Sequence, residues 1–129
     1  MTGASAATFG LGQIGQIGVN VRDLDRAVAF YRDALGLRFL FSTPALAFFD
    51  CAGVRLMLSL PEQASFDHPS SILYFTVPDL RVAYDTLTAR GVAFLDEPHL
   101  IAKMPDHELW MAFFDDTEGN THGLMCEVR

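Results

Sequence analysis

The chain is poor in cysteine, poor in cations and has no long apolar run. Its two cysteines, Cys51 and Cys126, are too few for a disulfide framework. Both sit in apolar strand contexts, where free buried thiols are the expectation. Nine Lys and Arg stand against sixteen Asp and Glu, a net charge of −7. That balance argues against nucleic acid or an anionic membrane as a partner. It keeps the chain soluble and favours a neutral or cationic small ligand. No stretch approaches the roughly 18 apolar residues of a membrane span. The start, MTGASAATFGLG, lacks the basic region and sustained apolar core of a signal peptide. A cytoplasmic location is therefore expected, with residues 1–12 as a loose tail ahead of one domain over 13–129. Hydrophobic residues make up 50% and aromatics 12% of the 129 residues, enough for a packed core and too much for a disordered chain.

What is present is a repeat. In QIGVNVRDLDRAVAFYRDALG, residues 16–36, Ile17, Val19 and Val21 alternate with Gln16, Gly18 and Asn20, the period of a half-buried strand. The chain then turns at Asp23 into a helix with Leu24, Ala27, Val28, Tyr31 and Leu35 on one face. Asp23 suits the N-cap, Asp25 the first turn, and Gly36 the stop. Residues 72–91, ILYFTVPDLRVAYDTLTARG, repeat this plan: Val21-x-Asp23-Leu24 returns as Val77-x-Asp79-Leu80, 56 residues on. Ala47-Phe48-Phe49-Asp50 returns as Ala112-Phe113-Phe114-Asp115 at an offset of 65, and Gly53 as Gly119 at 66. The growing offset locates about ten surplus residues in Glu97–Glu108.

Each half therefore reads strand, helix, three strands. The first has strands near 13–21, 37–42, 45–51 and 54–60 around a helix over 24–35. The linker is 61–70. The second has strands near 71–77, 92–96, 109–115 and 121–128 around a helix over 79–90, with 97–108 as a long connection. One such unit has a sheet with one face under its helix and the other bare, so it cannot bury itself alone. Two units, 13–60 and 71–128, are predicted to form an α+β fold: a curved mixed sheet around a shared cup, with the helices outside.

The run Val-x-Asp-Leu-x-x-Ala-x-x-Phe-Tyr-x-x-x-Leu-Gly-Leu, from Val21 to Leu37, resembles the vicinal oxygen chelate superfamily. That superfamily includes glyoxalase I, bleomycin resistance proteins, methylmalonyl-CoA epimerase and extradiol dioxygenases. Phe114-Asp115 followed by Glu118-Gly119-Asn120 resembles its final turn, often Asp-Pro-Asp-Gly-Asn. The resemblance spans residues 13–128. It implies a homodimer and, in the metal-using members, one ligand from each of four cup-facing strand positions. Here those positions hold Gln16, Met57, Ile72 and Gly123. Only Gln16 can ligate, and a lone neutral amide does not offset the desolvation of a divalent cation. No metal or other cofactor is expected, with a divalent metal as the alternative.

Strand parity supplies the remaining candidates. Asn20, Arg55, Tyr74, Met125 and Glu127 face the cup, Asn20 and Tyr74 as orienting hydrogen-bonding groups and Arg55 and Glu127 as an ion pair, as holders of a polar ligand or as a wet rim. His99 and Trp110 belong to, or follow, the surplus segment, which is expected to act as a lid. His107 lies in the same segment. His122 sits beside position 123, but parity sends it to the helix side. The Phe-rich strands are expected to be core. Two functions follow: a metal-free module that binds a small organic ligand, or a lyase, isomerase or dioxygenase that uses an unrecognised metal set or acid/base chemistry from Glu127, Tyr74 or His99.

Overall fold

Both helices and all the strands but one form near where the repeat puts them, in a computed structural model that describes residues 8–129. Residues 1–7 of the expected tail lie outside the described residues, and 8–12 are exposed and outside any helix or strand. The elements are β1 (Gln16–Asn20), α1 (Leu24–Ala29), β2 (Arg38–Ser42), β3 (Leu46–Cys51), β4 (Val54–Ser59), β5 (Tyr74–Thr76), α2 (Leu80–Ala89), β6 (Ala93–Phe94), β7 (His99–Lys103), β8 (Glu108–Asp115) and β9 (Thr121–Val128). The first sheet runs β1-β4-β3-β2. The second runs β5-β9-β8-β6, with β7 also on β8. In each half the first and last strands lie side by side and parallel, so the two βαβββ modules are built alike. The backbone ladders close within each half, giving two mixed sheets.

Both helices start on an aspartate. Asp23 Oδ1 accepts from the Arg26 amide at 3.0 Å and Asp79 Oδ1 from the Val82 amide at 3.1 Å, each using one of the unpaired donors of a first turn. The first helix differs from the regular one expected over 24–35. After Ala29 it widens into a π-turn, Phe30–Ala34, with Leu35 N–H donating to Phe30 O at 3.0 Å. The extra residue in that turn keeps Tyr31 directed inward while Gly36, at φ +75, reverses the chain into β2.

The surplus segment is where the expectation fails most clearly. It is not a loop. Ala93 and Phe94 pair with Asp115 and Phe114, and His99–Lys103 then pair with Met111–Glu108 on the same side of β8. β6 and β7 are thus one interrupted edge strand, the counterpart of β2 made longer. A strand held in its ladder, with a bulge between Leu100 and Ala102, is an extension of the sheet and does not act as a lid.

Parity holds across both sheets. Val19, Val21, Ala47, Phe49, Leu56 and Leu58 are buried under α1 around Ala27 and Tyr31. Ala112, Phe114, Leu124 and Cys126 are buried under α2 around Leu80, Leu87 and Val92. Phe30 and Leu35 pack against both clusters, so the π-turn that follows α1 bridges the halves. Neither cysteine is bridged. No helix among the described residues is long and apolar enough to cross a membrane.

The junction between halves is polar at its centre. His122, fully buried, stands among Tyr31, Phe75 and Phe114 on the helix side, as parity predicts. Its Nδ1 accepts from the Leu73 amide at 3.2 Å, so the proton sits on Nε2, which donates to the Tyr31 hydroxyl at 2.8 Å. That hydroxyl donates to Asp116 Oδ2 at 2.6 Å. Burial drives the His122 pKa down despite the nearby Asp116 and Asp115 carboxylates, and burial with Asp116 drives the Tyr31 pKa far up. The chain therefore keeps a neutral imidazole and a neutral phenol in its core. Beside them, Glu118 Oε1 accepts from the amides of Arg22 and Asp23 at 2.8 and 2.9 Å, and Arg26 Nε reaches its Oε2 at 2.7 Å. Burial alone would raise the Glu118 pKa, but Arg26 and these amides hold it at about 2.

Candidate functional site

The bare face of the first sheet is roofed by the linker, and the space between them is a cavity of about 670 Å³. Gly18 and Asn20 of β1 and Met57 and Ser59 of β4 form its floor. The Thr43–Leu46 turn forms one wall, and the linker from Leu60 to Ser70 the other. The volume falls in the range of small-molecule sites. Gly18 leaves the floor low: a Cβ there meets only the Met57 methyl, at 3.7 Å.

Asn20 holds the roof in place. Its Nδ2 donates to Phe66 O at 2.6 Å and His68 O at 2.9 Å, and its amide donates to Ser70 Oγ at 2.9 Å. Arg22 adds an ion pair to Asp67 at 2.8 Å. The linker is therefore a fixed strap, with a single 3₁₀ turn at Ala64–Phe66. Asn20 lines the cavity, but its donors position the strap and are not free for a ligand.

The other sequence candidates divide between two faces. Met57 lines the cavity, and its Sδ accepts a long contact of 3.5 Å from Gln16 Nε2. Arg55 leans over the Phe48 ring at 5.8 Å. Glu127 pairs with Arg129 at 2.9 Å, so the ion pair Arg55–Glu127 does not form. Ile72 and Tyr74 stand 46% and 48% exposed. Tyr74 lies edge-on to Phe113 and His99 packs over the same ring, a side-chain cluster on the bare face of the second sheet. Met125 sits opposite Met111 on that face. Trp110 is placed away from the cup: opposite Cys126, it packs on the α2 side with its Nε1 donating to Glu108. His107 is tied to Asp106 at 2.8 Å. No residue of the second sheet lines the cavity.

Sequence reasoning missed the linker's share of the site: Glu62, Gln63, Phe66, His68 and Ser70 all line the cavity. Their signal was weak, a polar stretch with prolines at both ends and one histidine that had not been weighed.

The four positions at which the resemblance implies metal ligands do not fit a divalent cation here by residue type. Gln16, Met57, Ile72 and Gly123 offer one donor, a neutral amide. The fourth position is also tight: a Cβ on Gly123 would sit 3.0 Å from Tyr74 Cδ1 and 3.1 Å from Phe113 Cε1, so those rings would have to give way. Among the described residues no three of His, Cys, Asp and Glu gather as a donor group.

Tandem βαβββ modules with paired aspartate-capped helices define a fold class, and comparison with known proteins names it. Residues 13–123 match the family model of the Glyoxalase/Bleomycin resistance protein/Dioxygenase superfamily, and the chain belongs to that superfamily. A superfamily member from Sphaerobacter thermophilus is similar at TM-score 0.74 and 25% identity, over 91% of this chain and 98% of that one. A lactoylglutathione lyase from Agrobacterium tumefaciens is similar in fold at TM-score 0.69 and 22% identity, over 91% and 95% of the two chains. A glyoxalase/bleomycin resistance protein/dioxygenase from Alicyclobacillus acidocaldarius gives TM-score 0.71 at 20% identity, over 89% and 91%. No curated protein matches the sequence.

Proposed function

We propose that this chain is a metal-independent binding module that holds a small organic molecule with an apolar body under the 61–70 strap. The observation that carries the reading is the contrast between two places. The implied ligand position at Gly123 is crowded by the Tyr74 and Phe113 rings, while the cavity over Gly18 and Met57 is open, with a surface more apolar than polar. Tight binding in such a site rests on buried apolar area with a few polar groups for orientation. The proposal includes a cytoplasmic homodimer. Apolar side chains along the outer edge strands, Leu40 and Phe41 on β2 and Leu100 and Ile101 on β7, support association through an edge.

A ligand screen by thermal shift, run with and without a chelator, tests the reading. Hits unaffected by chelation are expected, since a ligand at a hundred times its Kd adds about 2.7 kcal/mol. Hits that require a divalent metal, with stoichiometric metal lost on Gln16→Ala, would overturn it. Light scattering at about 14.2 kDa would overturn the dimer.

A second reading, metal-free proton transfer, rests on His68. Its Nδ1 faces Pro69 O at 3.1 Å, leaving Nε2 as an acceptor at the cavity wall. Glu127, Tyr74 and His99, which the sequence suggested for that role, do not line this cavity. Turnover of a bound hit that is lost on His68→Gln with binding kept would favour the enzyme.

A further inference from the structure

We propose that the strap-covered cavity selects a protonated amine carried on an apolar body, with Glu62 as its counter-charge. The inference deepens the binding reading above and rests on it.

The first observation is the charge of the lining. No Lys or Arg contributes to the cavity, and Glu62 is its one carboxylate. Glu62 has no hydrogen-bond or ionic partner among the described residues. A carboxylate or phosphate ligand would give up water and meet no positive charge, a loss nothing in the wall repays. The net charge of −7 adds a field of the same sign at longer range.

The second observation is how the polar atoms are spent. Both hydrogens of Asn20 Nδ2 go to strap carbonyls, so what Asn20 offers a ligand is its Oδ1, an acceptor. His68 commits Nδ1 to Pro69 O and offers Nε2, also an acceptor. The donors left over, the Gln63 amide and the hydroxyls of Thr43 and Ser70, are neutral. A ligand entering here meets acceptors at the wall and Met57, Leu46, Leu60 and Phe66 around its body. A compact ammonium with three donors on an apolar frame satisfies both sets at once.

The test uses three matched probes, 1-naphthylmethylamine, 1-naphthylmethanol and 1-naphthoic acid. Each is titrated into the full chain by calorimetry, and the Met57 methyl resonance, assigned with Met57→Leu, reports occupancy of the cavity. The amine is expected to bind about three- to five-fold tighter than the alcohol, the upper range for a water-accessible ion pair, and the acid weakest. Glu62→Gln should bring the amine down to the alcohol's affinity and leave the alcohol unchanged, and Glu62→Lys should favour the acid. Because Glu62 is exposed, both variants keep the fold. An amine preference that survives Glu62→Gln, or an acid that binds as tightly as the amine, overturns the charge selectivity alone. If none of the three moves the Met57 methyl, the reading of the cavity as a ligand site fails with it.

Discussion

Removing the Tyr31 hydroxyl tests the account of how the two halves hold together. Tyr31→Phe deletes one oxygen and keeps the ring that packs against Phe49 and His122. The deletion leaves the His122 Nε2–H without an acceptor in a fully buried place and takes from Asp116 its 2.6 Å donor. An orphaned buried donor costs about 1–3 kcal/mol and a lost hydrogen bond to a charged group about 1.5–3 kcal/mol. Asp116 keeps the amides of Glu118 and Asn120 and the Asn120 side chain, so its share falls at the low end. The expected loss is about 2–4 kcal/mol, read as a lower urea midpoint at unchanged m-value. In the His122→Leu background, where no donor is stranded, Tyr31→Phe should cost about 1 kcal/mol less. The same pair carries a pH signature. The unfolded imidazole titrates near 6.5, and burial holds the folded one lower, so the unfolded state binds the proton first. The His122 contribution is complete above pH 6.5 and is lost as pH falls toward the folded value, by up to about 1.4 kcal/mol per pH unit. His122→Leu should remove that component from the stability–pH curve. A Tyr31→Phe loss below about 0.5 kcal/mol, or an unchanged curve on His122→Leu, refutes the reasoning.

Glu118→Gln should cost about 2 kcal/mol, since it removes the charge that gathers Arg26 and two backbone amides, and chemical denaturation measures it. The wild-type benefit is present above the ordinary carboxylate range and fades as pH falls from about 4.5 toward 2. Gly123→Glu puts a carboxylate where the chain has no side chain, and its Cβ meets Tyr74 and Phe113. About 1–3 kcal/mol of destabilisation and no gain of metal by elemental analysis are expected, and stoichiometric metal would contradict the account of that position. Asn20→Ala frees the strap at Phe66 and His68, so the off-rate of any thermal-shift hit should rise while global stability falls by about 1 kcal/mol or less. An unchanged off-rate in stopped flow would remove Asn20 from its anchoring role.

The repeat made the architecture legible because both halves solve the same local problems. Asp23 and Asp79 cap their helices through nearest neighbours, and Gly36 and Gly91 take positive φ where the helices end. These features depend on a few adjacent residues. Period-2 alternation likewise assigns Val19, Leu56, Phe114 and Leu124 to the core, whatever the partner strand, and it sends His122 inward. That Met57, Ile72 and Gly123 carry no metal-ligating side chain, and Gln16 only a neutral amide, is a matter of residue types alone.

What crosses the chain had no local signature. His99–Lys103 is a strand because Met111–Glu108 extends past the short β6 and offers its edge, a pairing that a segment between Pro98 and Pro105 does not announce. Trp110 lies under α2 because the register of β8 against β9 puts it opposite Cys126. The linker becomes the roof of a cavity because Asn20, about fifty residues earlier, spends its amide on the carbonyls of Phe66 and His68. The sequence by itself determined the tandem modules, the capped helices and the buried faces, since short-range sterics, capping and periodicity act on neighbours. Tertiary structure alone decided which face is open, what covers it and which polar atoms are left to meet a ligand, because a hydrogen bond made by one residue is lost to every other partner.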